Sequence, residues 1–173
     1  DRFEKAAKQG HAKAQYILGS MYNVGQSVDV NYKKAMKWCE KAAKQGHAPA
    51  QCSLGIMYKN GHGVDVNYKK AFEWFEKAAK QGYADAQCYL GVMYDQGQGV
   101  DVNYKKAFEW FEKAAEQGLL NAQSNLGVMY ELGHGVDVNY KKALEWYEKA
   151  AEQGYIDAQF MLCLLYTSPS PRD

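Results

Sequence analysis

The sequence predicts an all-α solenoid, a stack of antiparallel helix pairs, and three observations carry that expectation. A 36-residue unit recurs without gaps: KAAKQGHAPAQCSLGIMYKNGHGVDVNYKKAFEWFE at 41–76 aligns with 5–40, 77–112 and 113–148. Each unit holds two segments with apolar residues at helical spacing, and these are joined alternately by a glycine-rich link and a very short turn. A fixed period of this length marks supersecondary units that bury their apolar faces only against neighbours, and four complete copies exceed the roughly three that stacking requires. Residues 1–4 read as the end of a further unit and 149–162 as the start of another.

The first helix of the second unit, helix A, is expected over about Ala48 to Lys59, with Ala50, Leu54, Met57 and Tyr58 on one face. Pro49 sits in its first turn, where a missing N–H costs little. Gly61 and Gly63 break it, and GVDVN leads to Asn67, an N-cap residue for helix B. Lys70 stands where a capping box would place glutamate. Helix B is expected over about Tyr68 to Gln81, with Tyr68, Ala71, Phe72, Phe75, Ala78 and Ala79 on one face and Gly82 as its terminator. Tyr83 alone separates that glycine from Ala84, so the next helix must turn back on it.

Gly55 lies inside helix A, as do Gly19, Gly91 and Gly127, although glycine costs about 1 kcal/mol there relative to alanine. Close approach of helix B through its small Ala71 and Ala78 is the expected compensation. Trp74, with Trp38, Trp110 and Trp146, is expected to supply the large buried partner. Lys69, Glu73, Glu76 and Lys80 fall at helical spacing on the opposite face, which reads as solvated surface.

Composition narrows function. Lysine and arginine total 21 against 20 acids and recur in register, so no basic stripe remains for a phosphate backbone and nucleic acid is excluded as the expected partner. No apolar run reaches the length of a membrane span. The 14 tyrosines and 4 tryptophans largely follow the period and count first as core material.

The pattern LG-x-MY-x-x-G-x-GV, a short polar link, YKKA, W and KAA-x-QG resembles the Sel1-like repeat, over residues 1–162. The 36-residue length and the GxGV segment set it apart from the related 34-residue tetratricopeptide unit. The resemblance implies a right-handed superhelical solenoid serving as an adaptor or scaffold for protein complexes, without cofactor. Three departures stand out. The link closes on asparagine where the family often has aspartate, an equivalent cap. Arg2 occupies the tryptophan position of the first, partial unit, which is expected to weaken packing there. The cysteine pair that marks each repeat of one secreted branch is missing, so the penicillin-binding activity proposed for that branch is the most remote of the alternatives. A second alternative is a structural spacer between flanking domains.

The ends carry their own expectations. The chain opens at Asp1 inside a unit, as a fragment would, leaving the compartment unassigned. CLLYTSPSPRD at 163–173 departs from the repeat where glycine should follow Leu162, and it matches the in-frame translation of a transposon-library sequencing adapter. The natural sequence is therefore expected to stop near Leu162, the alternative being a genuine Ser/Pro-rich linker.

No unit presents a nucleophile, base and orienting acid, so no catalytic residue is assigned. Cys39, Cys52 and Cys88 read as reduced small hydrophobes; Cys52 and Cys88 are one unit apart, about 10 Å or more, beyond disulfide reach. Neither CxxC nor a Cys/His metal spacing occurs. His11 and His47 in the inter-repeat turn and His62 and His134 in the GxG loop read as packing or surface residues, and the GHGV loop lacks the ending of a phosphate loop.

Function is then sought where the units differ. In helix A the changing columns are Lys13/Pro49/Asp85/Asn121, Tyr16/Cys52/Cys88/Ser124, Ser20/Ile56/Val92/Val128, Asn23/Lys59/Asp95/Glu131 and Val24/Asn60/Gln96/Leu132. Counted from the LG pair, they fall where the tetratricopeptide fold presents its concave groove. The expected site is a groove with Ile56, Val92 and Val128 as an apolar stripe flanked by Lys59, Asp95 and Glu131, suited to an extended or helical peptide. Undirected drift of exposed positions is the competing explanation.

Overall fold

The computed structural model describes residues 2–167, and every regular element among them is a helix. In chain order these are α1 (Arg2–Lys8), α2 (Ala12–Val24), α3 (Tyr32–Lys44), α4 (Ala48–Asn60), α5 (Tyr68–Lys80), α6 (Ala84–Gln96), α7 (Tyr104–Glu116), α8 (Leu120–Leu132), α9 (Tyr140–Glu152) and α10 (Ile156–Thr167). The even-numbered helices are the A helices and the odd-numbered ones the B helices. Two compact units arise, Asp1–Ala86 with Gly97–Asp101 and Gln87–Gln96 with Val102–Asp173. Within each, consecutive helices pack on one another through short connections.

The helix ends follow from a few residue types. Asn31, Asn67, Asn103 and Asn139 each accept from the N–H three residues on through Oδ1, at 2.9 Å. The backbone N–H of each also donates to the carbonyl of Tyr22, Tyr58, Tyr94 or Tyr130 at 2.8 Å, pinning the link to the end of the preceding A helix. At the other end of helix B, Gly82 has φ 85°. Its N–H donates to Ala79 and that of Tyr83 to Ala78, the paired bonds of a Schellman turn.

The core differs from the sequence expectation in one respect. The side chain facing the helix A glycine is the residue after the tryptophan, not an alanine. A Cβ on Gly55 would lie 2.5 Å from the Phe75 ring, and Phe111 stands against Gly91 in the same way. Phe75 is 0% exposed, whereas Trp74 is only half-buried, with the Lys77 ammonium 4.2 Å from its ring centroid. A ring that keeps one face toward water gains less from burial than a sealed one, and the lysine adds a cation–π contact of about 0.5–1 kcal/mol. Tyr68, expected on the apolar face, is 41% exposed.

A glutamine ladder, not anticipated from the sequence, links the helix pairs. Gln51 in α4 donates to the Ala43 carbonyl at the end of α3 (3.2 Å) and accepts from Gln81 at the end of α5 (2.7 Å). Gln123 repeats this in the second unit, donating to Ala115 and accepting from Gln153. Each buried amide thus gives a second donor to a helix-terminal carbonyl that already accepts from the terminating glycine N–H, and ties that helix end to the next A helix.

Beyond Leu162 the helix continues, with Cys163–Thr167 completing α10 and the Thr167 hydroxyl donating to the Cys163 carbonyl at 2.7 Å. The remainder of the segment read as adapter translation, 168–173, lies outside the described residues.

Gln123→Leu is expected to lower stability by about 1–3 kcal/mol, because it removes both bonds of a residue that is 0% exposed. Gln153→Ala removes the donor to the buried Gln123 Oε1 and leaves that acceptor unpaired, so it should also cost about 1–3 kcal/mol. Urea titration of both variants with an unchanged slope tests the ladder.

Candidate functional site

The A helices place the varying columns on a surface interrupted by buried positions. Lys13, Asn60, Asp85, Gln96, Asn121 and Leu132 are exposed, as is Val24. Tyr16, Ser20, Asn23, Pro49, Ile56, Lys59, Val92, Asp95, Val128 and Glu131 are half-buried. Cys52, Cys88 and Ser124 are buried and cannot line a surface groove as expected. Their column faces inward, where a small side chain suits packing and where Tyr16 instead tilts against His47, ring centroids 5.1 Å apart. Val128 packs against the Tyr130, Ala143 and Tyr147 cluster, so only part of it is offered outward.

The column Asn23/Lys59/Asp95/Glu131 carries the electrostatic variety. Asn23 Oδ1 is buried without a hydrogen-bond partner. Asp95 lies 3.6 Å from His134 Nδ1, and Glu131 accepts from the Tyr147 hydroxyl at 3.0 Å. Burial first and the Glu131 carboxylate second push the Tyr147 phenol far above its ordinary range, so it stays a proton donor. One repeat position therefore presents an amide, an ammonium and two carboxylates in turn.

The histidines have structural partners that the sequence did not reveal. His62 stacks on Tyr32 at 4.5 Å and His134 on Tyr104 at 4.0 Å. The second glycine of each GxG loop explains this contact. A Cβ on Gly63 would sit 2.6 Å from the Tyr32 carbonyl oxygen, so the loop lies directly against the preceding B helix. The invariant tyrosine opening YKKA was the available signal. In the turn, His47 Nδ1 accepts from the Ala50 N–H at 3.3 Å as the N-cap of α4.

None of Cys39, Cys52, Cys88 and Cys163 forms a disulfide, and the first three are buried. Burial pushes the Cys39 thiol up to about 12, so it remains protonated at neutral pH and is a poor nucleophile. Among the described residues no group of three or more His, Cys, Asp or Glu side chains could hold a metal ion. None of the helices there is long and apolar enough to cross a membrane.

The Sel1 repeat family model matches residues 3–11, 12–47, 48–83, 84–119 and 120–155, each full match beginning at or beside an A helix. The chain belongs to the Sel1 repeat family. No curated protein sequence matches it. Among solved structures, it is similar to a protective antigen of uropathogenic Escherichia coli with an SLR fold, at 42% identity and TM-score 0.91, over 96% of this chain and 36% of that one. A Sel1 repeat protein from Oxalobacter formigenes shares 38% identity at TM-score 0.89, over 95% and 66%. Cysteine rich protein B of Helicobacter pylori is more distant, 28% identical at TM-score 0.61, over 80% and 99%. The chain thus spans about a third of the first of these structures and about two thirds of the second. Sel1 repeat proteins are generally non-catalytic scaffolds for protein interaction, and their solenoid of helix pairs is the fold found here.

The cap role of His47 has a pH signature. Burial, aided by Lys13, lowers its folded pKa below the ordinary 6.5, and the protonated ring cannot accept the Ala50 N–H. The unfolded chain therefore takes up the proton first. The contribution is complete above about pH 6.5 and is lost as pH falls through that value toward the depressed folded pKa. His47→Asn keeps a cap acceptor without titrating, so urea midpoints measured on either side of that window should fall less in the variant than in the parent.

Proposed function

We propose that this chain is a non-catalytic scaffold that holds a peptide or protein segment against the A helices of its units. The observation that carries this reading is the division of labour among repeat positions. Most recurring positions are taken up by the asparagine caps, the glutamine ladder, the glycine–ring contact and the tyrosine–loop contact. Most of the varying positions instead leave side chains wholly or partly accessible on the A helices. In the second compact unit Val92 and Val128 would supply apolar contact, with Asp95 as a charged determinant. In the first compact unit Ile56 and Lys59 would do the same with the opposite charge. Extended or helical peptides are read in this manner, by pockets and charges spaced along one face.

The test uses a random peptide library displayed on phage, panned on the folded chain. Peptides enriched by the parent should bind the Val92→Arg, Asp95→Arg double variant at least about tenfold more weakly, a loss of roughly 1.4 kcal/mol. Circular dichroism must show the variant folded. A folded double variant that binds the same peptides as tightly as the parent rejects the groove, and it leaves the spacer reading as the better account of the array.

A further inference from the structure

The first complete repeat departs from the others on its B helix, where the chain-wide balance of charge conceals a local excess of lysine. Lys37 in α3 stands where the later repeats have Glu73, Glu109 and Glu145, and Lys44 where the last two have Glu116 and Glu152. The outward stripe of α3 therefore reads Lys33, Lys34, Lys37, Lys41 and Lys44, all exposed, and the half-buried Glu40 is the one acid of the helix.

This stripe lacks counter-charges. On α1 and α5 a glutamate closes on the lysine four residues later, Glu4 with Lys8 at 2.9 Å and Glu76 with Lys80 at 3.1 Å. Among the described residues no α3 lysine forms an ion pair, Lys44 with Glu40 included. Two of these lysines are held over rings, the Lys34 ammonium 5.1 Å from the Tyr22 centroid and that of Lys41 4.5 Å from the Trp38 centroid. Side chains ordered in advance lose less conformational freedom when a partner arrives.

The fourth repeat shows what the substitution at 37 changes. There a cleft of about 340 Å³ is lined by Tyr130, Lys142, Glu145, Trp146 and Lys149, with a glutamate between two lysines in sequence. At the equivalent positions the first repeat has Tyr22, Lys34, Lys37, Trp38 and Lys41, two rings and three cations without an acid.

Geometry restricts the partner. Lys33, Lys37, Lys41 and Lys44 follow helical spacing, so they share one face of α3 over about 17 Å. A helical segment laid along α3, with glutamates at matching intervals, meets all four. The apolar side chains of α3, Met36 among them, are buried and offer no wedge to a bilayer. Lysine ammoniums already cover a face of both Tyr22 and Trp38, where a nucleobase would stack. Nor does α3 carry an arginine to grip a phosphate with two hydrogen bonds.

We propose that the exposed face of α3 is a second docking surface, for an acidic helical segment of a partner protein whose glutamates pair with Lys33, Lys37, Lys41 and Lys44. It lies on a B helix and is independent of the groove proposed for the A helices, so either can fail without the other.

The probe is a labelled alanine-rich helical peptide with glutamates at i, i+4, i+8 and i+11, and the same peptide with glutamines is the control. Fluorescence anisotropy at about 0.01 M salt should show saturable binding of the glutamate peptide alone, lost at about 1 M salt. Lys37→Glu gives the first repeat the residue of the other three, so it should stay folded by circular dichroism. It should weaken binding at least about fivefold, because an attraction becomes a repulsion. Lys105→Glu makes the same change in net charge on α7, whose lysines are matched by Glu109, Glu112 and Glu116, and should alter affinity by no more than about twofold. Lys33→Gln combined with Lys44→Gln removes charge without adding any and should also weaken binding at least about fivefold. The proposal is overturned if the glutamine peptide binds as tightly as the glutamate peptide, or if Lys37→Glu weakens binding no more than Lys105→Glu. Tighter binding of a uridine oligonucleotide or of phosphatidylserine vesicles under the same conditions would also overturn it, in favour of a phosphate ligand.

Discussion

The rest of the structure depends on a glycine in the middle of the A helices α2, α4, α6 and α8, pressed against a side chain of the following B helix. Glycine there sacrifices about 1 kcal/mol of helix propensity. Sealing a phenylalanine ring recovers about 1.5–3 kcal/mol, which only a backbone without Cβ permits at this distance. The Phe75 ring stands where a Cβ of Gly55 would be 2.5 Å away, and full burial of the ring follows from that contact. With the two helices this close, the asparagine cap can tie the link to the preceding tyrosine carbonyl. The glutamine ladder can then span from one pair to the next. Each of these polar bonds needs its partner within about 3 Å, so all of them presuppose the glycine contact.

Much of this fold was legible because its signals are local. The 36-residue period, the asparagine before YKKA and the glycine after KAA-x-Q each act within a few residues, and helix bounds read from them agree with the structure to within about two residues. What escaped were contacts between segments. Phe75 and Trp74 are adjacent, and only the rotation of helix B decides that phenylalanine meets Gly55 while tryptophan keeps one face toward water under Lys77. Gln51 reads as an ordinary polar helix residue until the carbonyl of Ala43 is placed beside it. Gly63 reads as a helix terminator until the Tyr32 backbone appears against it.

The candidate surface was legible in outline for a different reason. Repeats act as internal comparisons, so a position that varies while its neighbours stay fixed is released from the common packing. Geometry then corrects the outline: the Cys52/Cys88/Ser124 column is buried, while the Asn23/Lys59/Asp95/Glu131 column changes charge from repeat to repeat. Variation alone could not separate a position facing inward with loose size requirements from one facing a partner. Burial separates them. The same comparison exposes Cys39 as the one departure from the ring column among the four complete repeats.

The dependence of the array on the glycine–ring contact is tested most directly by a double-mutant cycle of Gly91→Ala and Phe111→Leu, read by urea denaturation. If the contact is the constraint described here, alanine at 91 destabilises strongly beside phenylalanine and much less beside leucine, with a coupling of about 1–2 kcal/mol. Additive effects, agreeing within about 0.5 kcal/mol, would contradict it and leave glycine at that position without a packing cause.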